Sequence, residues 1–170
     1  MKYIVRKAYW NYEKEEKWLN SMSARGFALI DYSWMRYVFE KCEPGEYIYR
    51  IQMLEHPSNH PESREYIEFV ESTGAECVAT YRRWVYFRKK TADGPFELYT
   101  DIPSIIRHYR LIRAFWAGFA VLEYAAGVFN IVVGTVPPCS TVNIVLGALV
   151  SLLGVGFTLM IADLTKKIRT

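Results

Sequence analysis

Two long apolar runs near the end of the chain constrain its fold more than any other feature of the sequence. Residues 114–136 contain a single charged side chain, Glu123, and residues 142–162 contain none. A helix rises about 1.5 Å per residue, so each run is roughly 30–35 Å long and can cross the hydrocarbon core of a bilayer. The segment 137–141 between them is too short to cross it. The sequence therefore predicts an antiparallel transmembrane hairpin.

The two runs differ in how readily each would enter a membrane alone. Near the centre of a span, Leu, Ile, Phe and Val each contribute about −0.3 to −0.6 kcal/mol, whereas a charge costs about +2.5 to +3.5 kcal/mol. Glu123 therefore makes the first span marginal, while the second has twelve such apolar residues and no charge. We expect the second span to support insertion of the first.

Basic residues flank the outer ends of the hairpin, and the turn 137–141 has neither Lys nor Arg. The positive-inside rule then places both chain termini in the cytoplasm and the turn outside. The same cations can recognise anionic lipid or serve only to set the topology, and the sequence leaves both interpretations open. They are Arg107, Arg110, Arg113, Lys166, Lys167 and Arg169.

Charge is distributed unevenly along the chain. Residues 1–99 hold fifteen Lys and Arg against fifteen Asp and Glu, so the formal net charge of +3 comes from the remainder. A folded domain without a basic excess is a poor candidate for binding nucleic acid. Three cysteines without a Cys-x-x-Cys pair indicate neither a disulfide framework nor a zinc site.

An internal repeat occupies the first 94 residues. The segment YIVR at 3–6 returns as YIYR at 47–50, and a charged helical stretch follows each, over 13–25 and 62–73. Each stretch stops at a glycine, Gly26 or Gly74, as is typical of helix C-termini. Trp18 and Tyr66 each lie eight residues before that glycine. The second copy carries four extra residues in the loop 56–61.

Each copy is predicted to run strand–helix–strand–strand, with strands at 3–9, 27–32 and 34–41 and then at 47–54, 76–81 and 83–89. The expected fold class is α+β: an antiparallel sheet with two helices on one face, followed by the two-helix transmembrane hairpin. The predicted organisation is a cytosolic domain at 1–99 with repeats 1–45 and 46–94, a juxtamembrane helix at 100–113, transmembrane helices at 114–136 and 142–162 around an extracytoplasmic turn at 137–141, and a basic cytosolic tail at 163–170.

Three segments resemble one family. They are KYIVRKAYW at 2–10, DYSW at 31–34 and RWVYFRKKTADGPFE at 83–97. Together they resemble the bacterial family catalogued as domain of unknown function 2812, over about residues 2–110. The resemblance implies a small bacterial plasma-membrane protein, of a kind often encoded beside regulators of the PadR type. That family has no established reaction and no recognised catalytic residues, so the resemblance assigns no site.

Glu123 is the first candidate functional residue, because an acid inside a membrane span is costly and indicates a role. A polar stripe shared by the two runs accompanies it. The stripe either bonds the helices to one another or to those of a homo-oligomer, or it serves an ion or a proton. Its predicted members are Glu123, Asn130, Asn143, Ser151 and Thr158.

Aromatic residues form the second candidate, since residues 1–99 hold twenty of them. One interpretation is a ligand pocket, because the duplicated unit is similar at the level of fold to gyrase-inhibitor-like domains that hold bulky apolar cations. Its walls would be Tyr37, Tyr49, Trp84 and Tyr86, whose rings suit stacking and cation–π contact. The other interpretation is that these rings are simply the core of the sheet.

Signals for other chemistry are weak. His56 and His60 lie four apart, but no third or fourth ligand is evident beside them, so no metal site is predicted. Cys42 and Cys77 have no paired histidine, and the sequence contains no phosphate-binding glycine loop or hydrolase motif. We therefore expect neither a cofactor nor an enzymatic activity.

These observations favour a membrane-anchored regulatory or adaptor protein whose cytosolic domain binds a partner protein or a small ligand. The alternative is an accessory subunit that stabilises a larger membrane complex. In both cases the expected partners are the lipid bilayer and an unidentified membrane or cytosolic protein.

Overall fold

The computed structural model describes residues 2–98 and 102–169 and divides the chain into two compact units, Met1–Thr100 and Asp101–Thr170. The predicted boundary between 99 and 100 lies outside the described residues. The first unit contains β1 (Lys2–Arg6), α1 (Tyr12–Ala24), β2 (Phe27–Ser33), β3 (Arg36–Lys41), β4 (Tyr47–Met53), α2 (Pro61–Ser72), β5 (Glu76–Tyr81), β6 (Trp84–Lys90) and a short 3₁₀ turn (Thr91–Asp93). The second contains α3 (Ile102–Thr135) and α4 (Thr141–Arg169). The predicted fold class, α+β followed by a two-helix hairpin, is confirmed.

The two copies of the repeat fold alike. Each forms a three-stranded antiparallel sheet with its last strand in the middle, in the orders β1-β3-β2 and β4-β6-β5. The ladder shifts register between Leu29 and Asp31 in β2, and between Cys77 and Ala79 in β5. Cys77 follows Leu29 by the same 48 residues that separate Gly74 from Gly26. Corresponding residues therefore have corresponding structures.

One detail of the prediction is different: the strands form two sheets and not one. β2 and β5 lie side by side, with Cα atoms within 8 Å, yet no strand ladder joins them. Both strands carry a bulge at the corresponding position of their repeat, and a bulge bends its strand. Side chains of the second sheet reach β2 instead: Arg88 Nη1 on β6 donates to the Leu29 carbonyl oxygen at 3.1 Å.

Two strand boundaries differ from the prediction by more than one residue. β1 ends at Arg6, three residues early, and the Lys7 amide then donates to the Met35 carbonyl oxygen at 2.9 Å. Trp34 and Met35 form the hairpin turn before β3, in which Met35 has a φ of 58°. The aromatic and alternating pattern extends into both loops, so it could not mark where pairing stops.

Helix α1 packs beside β4 and replaces a neighbouring strand. The Asn20 side-chain amide donates to the Tyr49 carbonyl oxygen (3.1 Å) and accepts from the Tyr49 amide (2.8 Å). The Ser23 hydroxyl does the same with Tyr47, at 2.6 and 3.2 Å. One helical turn further towards the N-terminus, Glu16 Oε2 accepts from the Ile51 amide at 2.9 Å. These side chains satisfy the outward-facing backbone groups of an edge strand that would otherwise be open to other chains.

The interior of this first unit is aromatic. One buried cluster joins both repeats and includes Leu19, Leu29, Tyr37, Phe39, Tyr49, Ile51 and Tyr86. A second lies under α2 and includes Leu54, Val70, Val85, Phe87 and Phe96. Leu19 on α1 and Val70 on α2 are the helix residues most deeply buried in the two clusters. Many of the sheet aromatics are therefore core residues.

Helices α3 and α4 are each long and apolar enough to cross a membrane. In their most apolar windows only 17% and 11% of the residues are buried, so most of this apolar surface is exposed. α3 begins at Ile102 and continues without a break through the segments predicted as 100–113 and 114–136. α4 likewise continues through most of the predicted tail.

Glycines set how closely α3 and α4 approach. A Cβ added to Gly147 would lie 2.7 Å from the Gly127 carbonyl oxygen, and one added to Gly127 would overlap the Ser151 hydroxyl. Gly134 and Gly154 are similarly confined by Ile144 and the Tyr124 ring. Small residues in such a seam let two helix backbones pack in direct contact, which stabilises helix pairs in lipid.

The hydrogen bonds from α1 to the open edge of β4, which we call the α1–β4 seal, yield the first prediction. Ser23→Ala removes both hydrogen bonds to Tyr47 and leaves a partly buried backbone amide and carbonyl unsatisfied, so we expect a loss of about 1–3 kcal/mol in the free energy of unfolding. The measurement is urea unfolding of the full chain in detergent, followed by tryptophan fluorescence. Ser21→Ala is the matched control on the same helix, since Ser21 is exposed, and should change stability by less than about 0.5 kcal/mol. Equal effects of the two variants would contradict the proposed role of the seal.

Candidate functional site

A buried carboxyl group lies where the two repeats meet. Glu15 on α1 is 7% exposed. Its Oε1 accepts hydrogen bonds from the Tyr37 hydroxyl on β3 at 2.6 Å and from the Tyr86 hydroxyl on β6 at 2.8 Å. The Tyr32 ring on β2 packs against both tyrosines, with centroids 4.7 and 4.5 Å away. We call these four residues the Glu15 cluster.

The helix α1 delivers Glu15 to this position through its inward stripe. Tyr12, Glu15, Trp18, Leu19 and Met22 recur at intervals of three and four residues, the spacing of one helical face. The charged pattern of residues 13–25 did not predict Glu15 as a buried residue. The signal was its spacing from Trp18, but a glutamate in a charged helix is most simply placed on the solvated side.

Burial dominates the electrostatics of the cluster. Desolvation raises the pKa of Glu15 above its ordinary value, and the two tyrosine hydrogen bonds oppose this only in part. Desolvation together with the nearby Glu15 charge raises the pKa of Tyr37 and of Tyr86. The tyrosines therefore remain protonated donors, and the carboxyl is the group whose protonation state can change.

More aromatic rings surround the cluster along α1. Trp18 packs edge-on against Tyr37, with centroids 4.8 Å apart, and lies 5.5 Å from Tyr9. The Lys7 ammonium nitrogen lies 4.8 Å from the Tyr9 ring centroid and 5.0 Å from that of Trp18. The faces of these rings are therefore already engaged with a cation.

The four predicted wall residues divide into two groups. Tyr37 and Tyr86 meet on Glu15, and Trp84, half-buried, packs against Tyr12 with centroids 5.9 Å apart. Tyr49 is fully buried, and its hydroxyl accepts from the Leu29 amide at 2.8 Å. Its pKa is raised to about 12, chiefly by desolvation. Tyr49 therefore braces the core, because its polar group is used on the backbone and not on the cluster.

The predicted intramembrane stripe is only partly a seam between helices. Ser151 contacts the other helix at Gly127, yet its hydroxyl donates to Gly147 on its own helix. Thr158 reaches across to the Tyr124 hydroxyl at 3.2 Å. The Asn130 side-chain amide donates to the Ala126 carbonyl oxygen one turn earlier. At the start of α4, the backbone amide of Asn143 donates to the Ser140 hydroxyl. Glu123 is half-buried, and among the described hydrogen bonds none involves its carboxylate.

The flanking cations are placed along the outer ends of the two helices. Lys167 lies 3.6 Å from Asp163 and 5.7 Å from the Tyr109 ring centroid. Arg107, Arg110 and Lys166 are exposed and Arg113 is half-buried. The side chain of Arg169 lies outside the described part of the structure. This arrangement is consistent with either interpretation of these cations.

A group of metal-ligating side chains lies before α2. His56, His60 and Glu62 each offer one ligand atom, and these atoms lie within 4.8 Å of one another. The sequence alone did not predict Glu62 as a third ligand, since this residue falls in the helix predicted at 62–73. The three cysteines, Cys42, Cys77 and Cys139, are free thiols.

The raised pKa of Glu15 yields the second prediction. The folded chain holds this proton to a higher pH than the unfolded chain, so unfolding releases it and stability falls as pH rises above the ordinary value of 4.5. Glu15→Gln removes this titrating carboxyl, so we expect its free energy of unfolding to fall less than that of wild type over the same pH range. Glu16, whose pKa is also raised by burial, keeps part of the slope.

The measurement is urea unfolding of the full chain in detergent at a series of pH values between 4 and 8. Glu65→Gln is the control, since Glu65 is exposed on α2, and it should keep the wild-type slope. A Glu15→Gln protein whose stability varies with pH as steeply as wild type would show that this carboxyl does not titrate differently on folding.

Comparison with known proteins identifies the chain at the level of family. Searches of curated proteins and of solved structures return no match. A family model described as protein of unknown function (DUF2812) matches residues 11–121. The match includes the Glu15 cluster and extends into α3, somewhat further than the resemblance at 2–110. The chain belongs to this family, protein of unknown function DUF2812.

Proposed function

We propose that this chain is a membrane-anchored regulatory protein whose first unit binds a small organic cation with apolar or aromatic flanks at the Glu15 cluster. The observation that supports the proposal is the Glu15 carboxyl, buried among tyrosine and tryptophan rings and bonded only by hydroxyls in the described structure. A bound cation would supply the opposite charge that this buried carboxyl lacks.

The chemistry of the cluster favours a cation over other ligands. A carboxylate in a poorly solvated site is costly unless an opposite charge accompanies it. Aromatic faces attract cations as well, and the Lys7 ammonium group already lies over the Tyr9 and Trp18 rings. A neutral or anionic ligand would use the rings but leave the carboxyl without a counter-charge.

The position of the cluster connects binding to a change in structure. Tyr37 belongs to the first sheet and Tyr86 to the second, and both donate to the same oxygen of Glu15. No strand ladder joins the facing strands β2 and β5. A ligand that takes over the carboxyl would release one or both tyrosines and alter how the two sheets meet. This would give the domain a ligand-bound and a ligand-free arrangement for a partner to distinguish.

The membrane part of the proposal rests on α3 and α4. Their length, apolar composition and low burial support two transmembrane spans. The basic residues at the outer ends, with an uncharged turn between the helices, favour a cytoplasmic location for both termini. The ligand-binding unit would then lie in the cytoplasm.

Ligand binding is tested on the full chain in detergent with tetraphenylphosphonium as the probe. We expect saturable quenching of tryptophan fluorescence, since Trp18 borders the cluster. Glu15→Gln removes the counter-charge and should weaken binding at least about tenfold, because losing one partner of a buried charge pair costs about 2–5 kcal/mol.

Two controls accompany this titration. Glu65→Gln removes an exposed charge and should bind as wild type does. Triphenylphosphine oxide, a neutral probe of similar shape, should bind much more weakly to wild type. A linear titration, or equal affinity in Glu15→Gln, would contradict the proposal. A stoichiometric membrane partner that co-purifies without ligand would then favour the accessory-subunit alternative.

The topology is tested through Cys139, which is exposed in the turn between α3 and α4. A membrane-impermeant maleimide added to intact bacterial cells that express the chain should label this thiol. Cys139→Ser should abolish labelling in intact cells, while lysed cells should gain label at Cys42 and Cys77. Labelling of Cys42 or Cys77 in intact cells would place the first unit outside the cytoplasm.

A further inference from the structure

The loop that distinguishes the second repeat from the first carries an unassigned group of ligand atoms. Residues 54–60 connect β4 to α2, and they include the insertion that has no counterpart in the first copy. Two of the three histidines of the chain, His56 and His60, lie in it. Glu62 follows in the first turn of α2. We call this set the histidine loop site.

The three side chains of the site converge. The His56 and His60 rings stack with centroids 4.3 Å apart and planes inclined by 27°. His56 Nε2 lies 3.3 Å from Glu62 Oε2. One donor atom from each of the three residues lies within 4.8 Å of the other two.

An unused nitrogen accompanies this convergence. Nδ1 of His60 is buried and has no hydrogen-bond partner among the described residues. Buried polar atoms nearly always have a partner, so one without a protein partner needs a partner from outside the protein. A metal ion bound by His60 provides one, since a ring nitrogen with no protein partner has its lone pair available for coordination.

The backbone around the site is held from several sides. The His60 amide donates to the Pro57 carbonyl oxygen at 2.9 Å, and the Ser63 hydroxyl donates to that of His56 at 3.1 Å. Arg83 from the β5–β6 turn donates to the carbonyl oxygens of Leu54 and Glu55, at 2.9 and 2.6 Å. Ligands on a fixed backbone bind a metal with little loss of conformational freedom.

We propose that His56, His60 and Glu62 bind a divalent transition-metal ion of the zinc type. Two imidazole nitrogens and one carboxylate oxygen are a preferred donor set for Zn²⁺, and a water molecule completes the tetrahedron. Bond lengths of about 2.0–2.2 Å place the ligand atoms of such a site roughly 3.3–3.5 Å apart. The His56–Glu62 distance of 3.3 Å already has this value. Rotation of the His60 side chain on its fixed backbone would bring its ring nitrogen, the third ligand atom, into the same range.

The site is tested by titration of the full chain with metal. The protein is purified in detergent with a histidine-free affinity tag and treated with EDTA. Zn²⁺ binding is measured by equilibrium dialysis, and Co²⁺ binding by its visible ligand-field absorption. We expect one equivalent of metal and a nitrogen- and oxygen-ligated spectrum. His60→Gln and Glu62→Gln should each weaken binding by at least about tenfold, the loss that even an outer-shell change can produce.

Two controls separate this site from other donors. Glu65→Gln changes an exposed acid on the same helix and should bind metal as wild type does. The triple variant Cys42→Ser, Cys77→Ser, Cys139→Ser should retain the metal as well. Far-UV circular dichroism reports whether His60→Gln remains folded. Glu62 is exposed, so Glu62→Gln decides the question if that variant does not fold.

The proposal is overturned if wild type binds no metal, if Glu62→Gln binds as tightly as wild type, or if the cysteine variant loses the metal. None of these outcomes depends on whether the Glu15 cluster binds a cation, because the two sites share no residue.

Discussion

The first unit depends on the hydrogen bonds between helix α1 and the edge of strand β4. α1 belongs to the first repeat and β4 to the second. A three-stranded sheet is close to the smallest that is stable, and it needs a partner for its apolar face. Through Asn20, Ser23 and Glu16, α1 completes the sheet of the other repeat in place of a fourth strand. The two copies are therefore joined by polar contacts as well as by a shared core.

This arrangement explains why a carboxyl group is buried beside the seal. The side of α1 that carries Asn20 and Ser23 lies along β4, and the adjacent side carries Glu15 and Trp18 into the aromatic interior. Glu15 is therefore held in place by the same helix whose other side satisfies the open edge of β4. A charged group in this setting is costly, and the domain retains it between two tyrosines that come from different repeats.

The two copies differ on the helix face that, in the first repeat, contacts strand β4. At the positions 48 residues after Asn20 and Ser23, α2 has Glu68 and Glu71, and both are exposed. Glu71 accepts from the Cys77 amide of its own repeat. The second copy also carries the loop with His56 and His60, which the first copy lacks.

The second unit follows different physics. Gly127 and Gly147 let the backbones of α3 and α4 come into direct contact, and packing of this kind stabilises helix pairs in lipid, where apolar side chains gain little by facing one another. Three polar side chains of the predicted stripe bond to carbonyl oxygens one turn earlier on their own helix, namely Asn130, Ser151 and Thr158. Spacing along one helix shows which residues share a face, but it does not show whether a donor bonds to an acceptor on its own helix or on the neighbouring one.

The sequence by itself determined the features that depend on neighbours along the chain. Two apolar runs of membrane length, a strand–helix–strand–strand order and helix ends at Gly26 and Gly74 follow from periodicity and backbone freedom. The tertiary structure alone decided the rest: two sheets instead of one, Glu15 between Tyr37 and Tyr86, and Glu62 beside His56. Each of these depends on which distant segments meet. A residue such as Glu15 or Asn20 looks like an ordinary helix-surface residue until the strand that it contacts, contributed by another part of the chain, is in place.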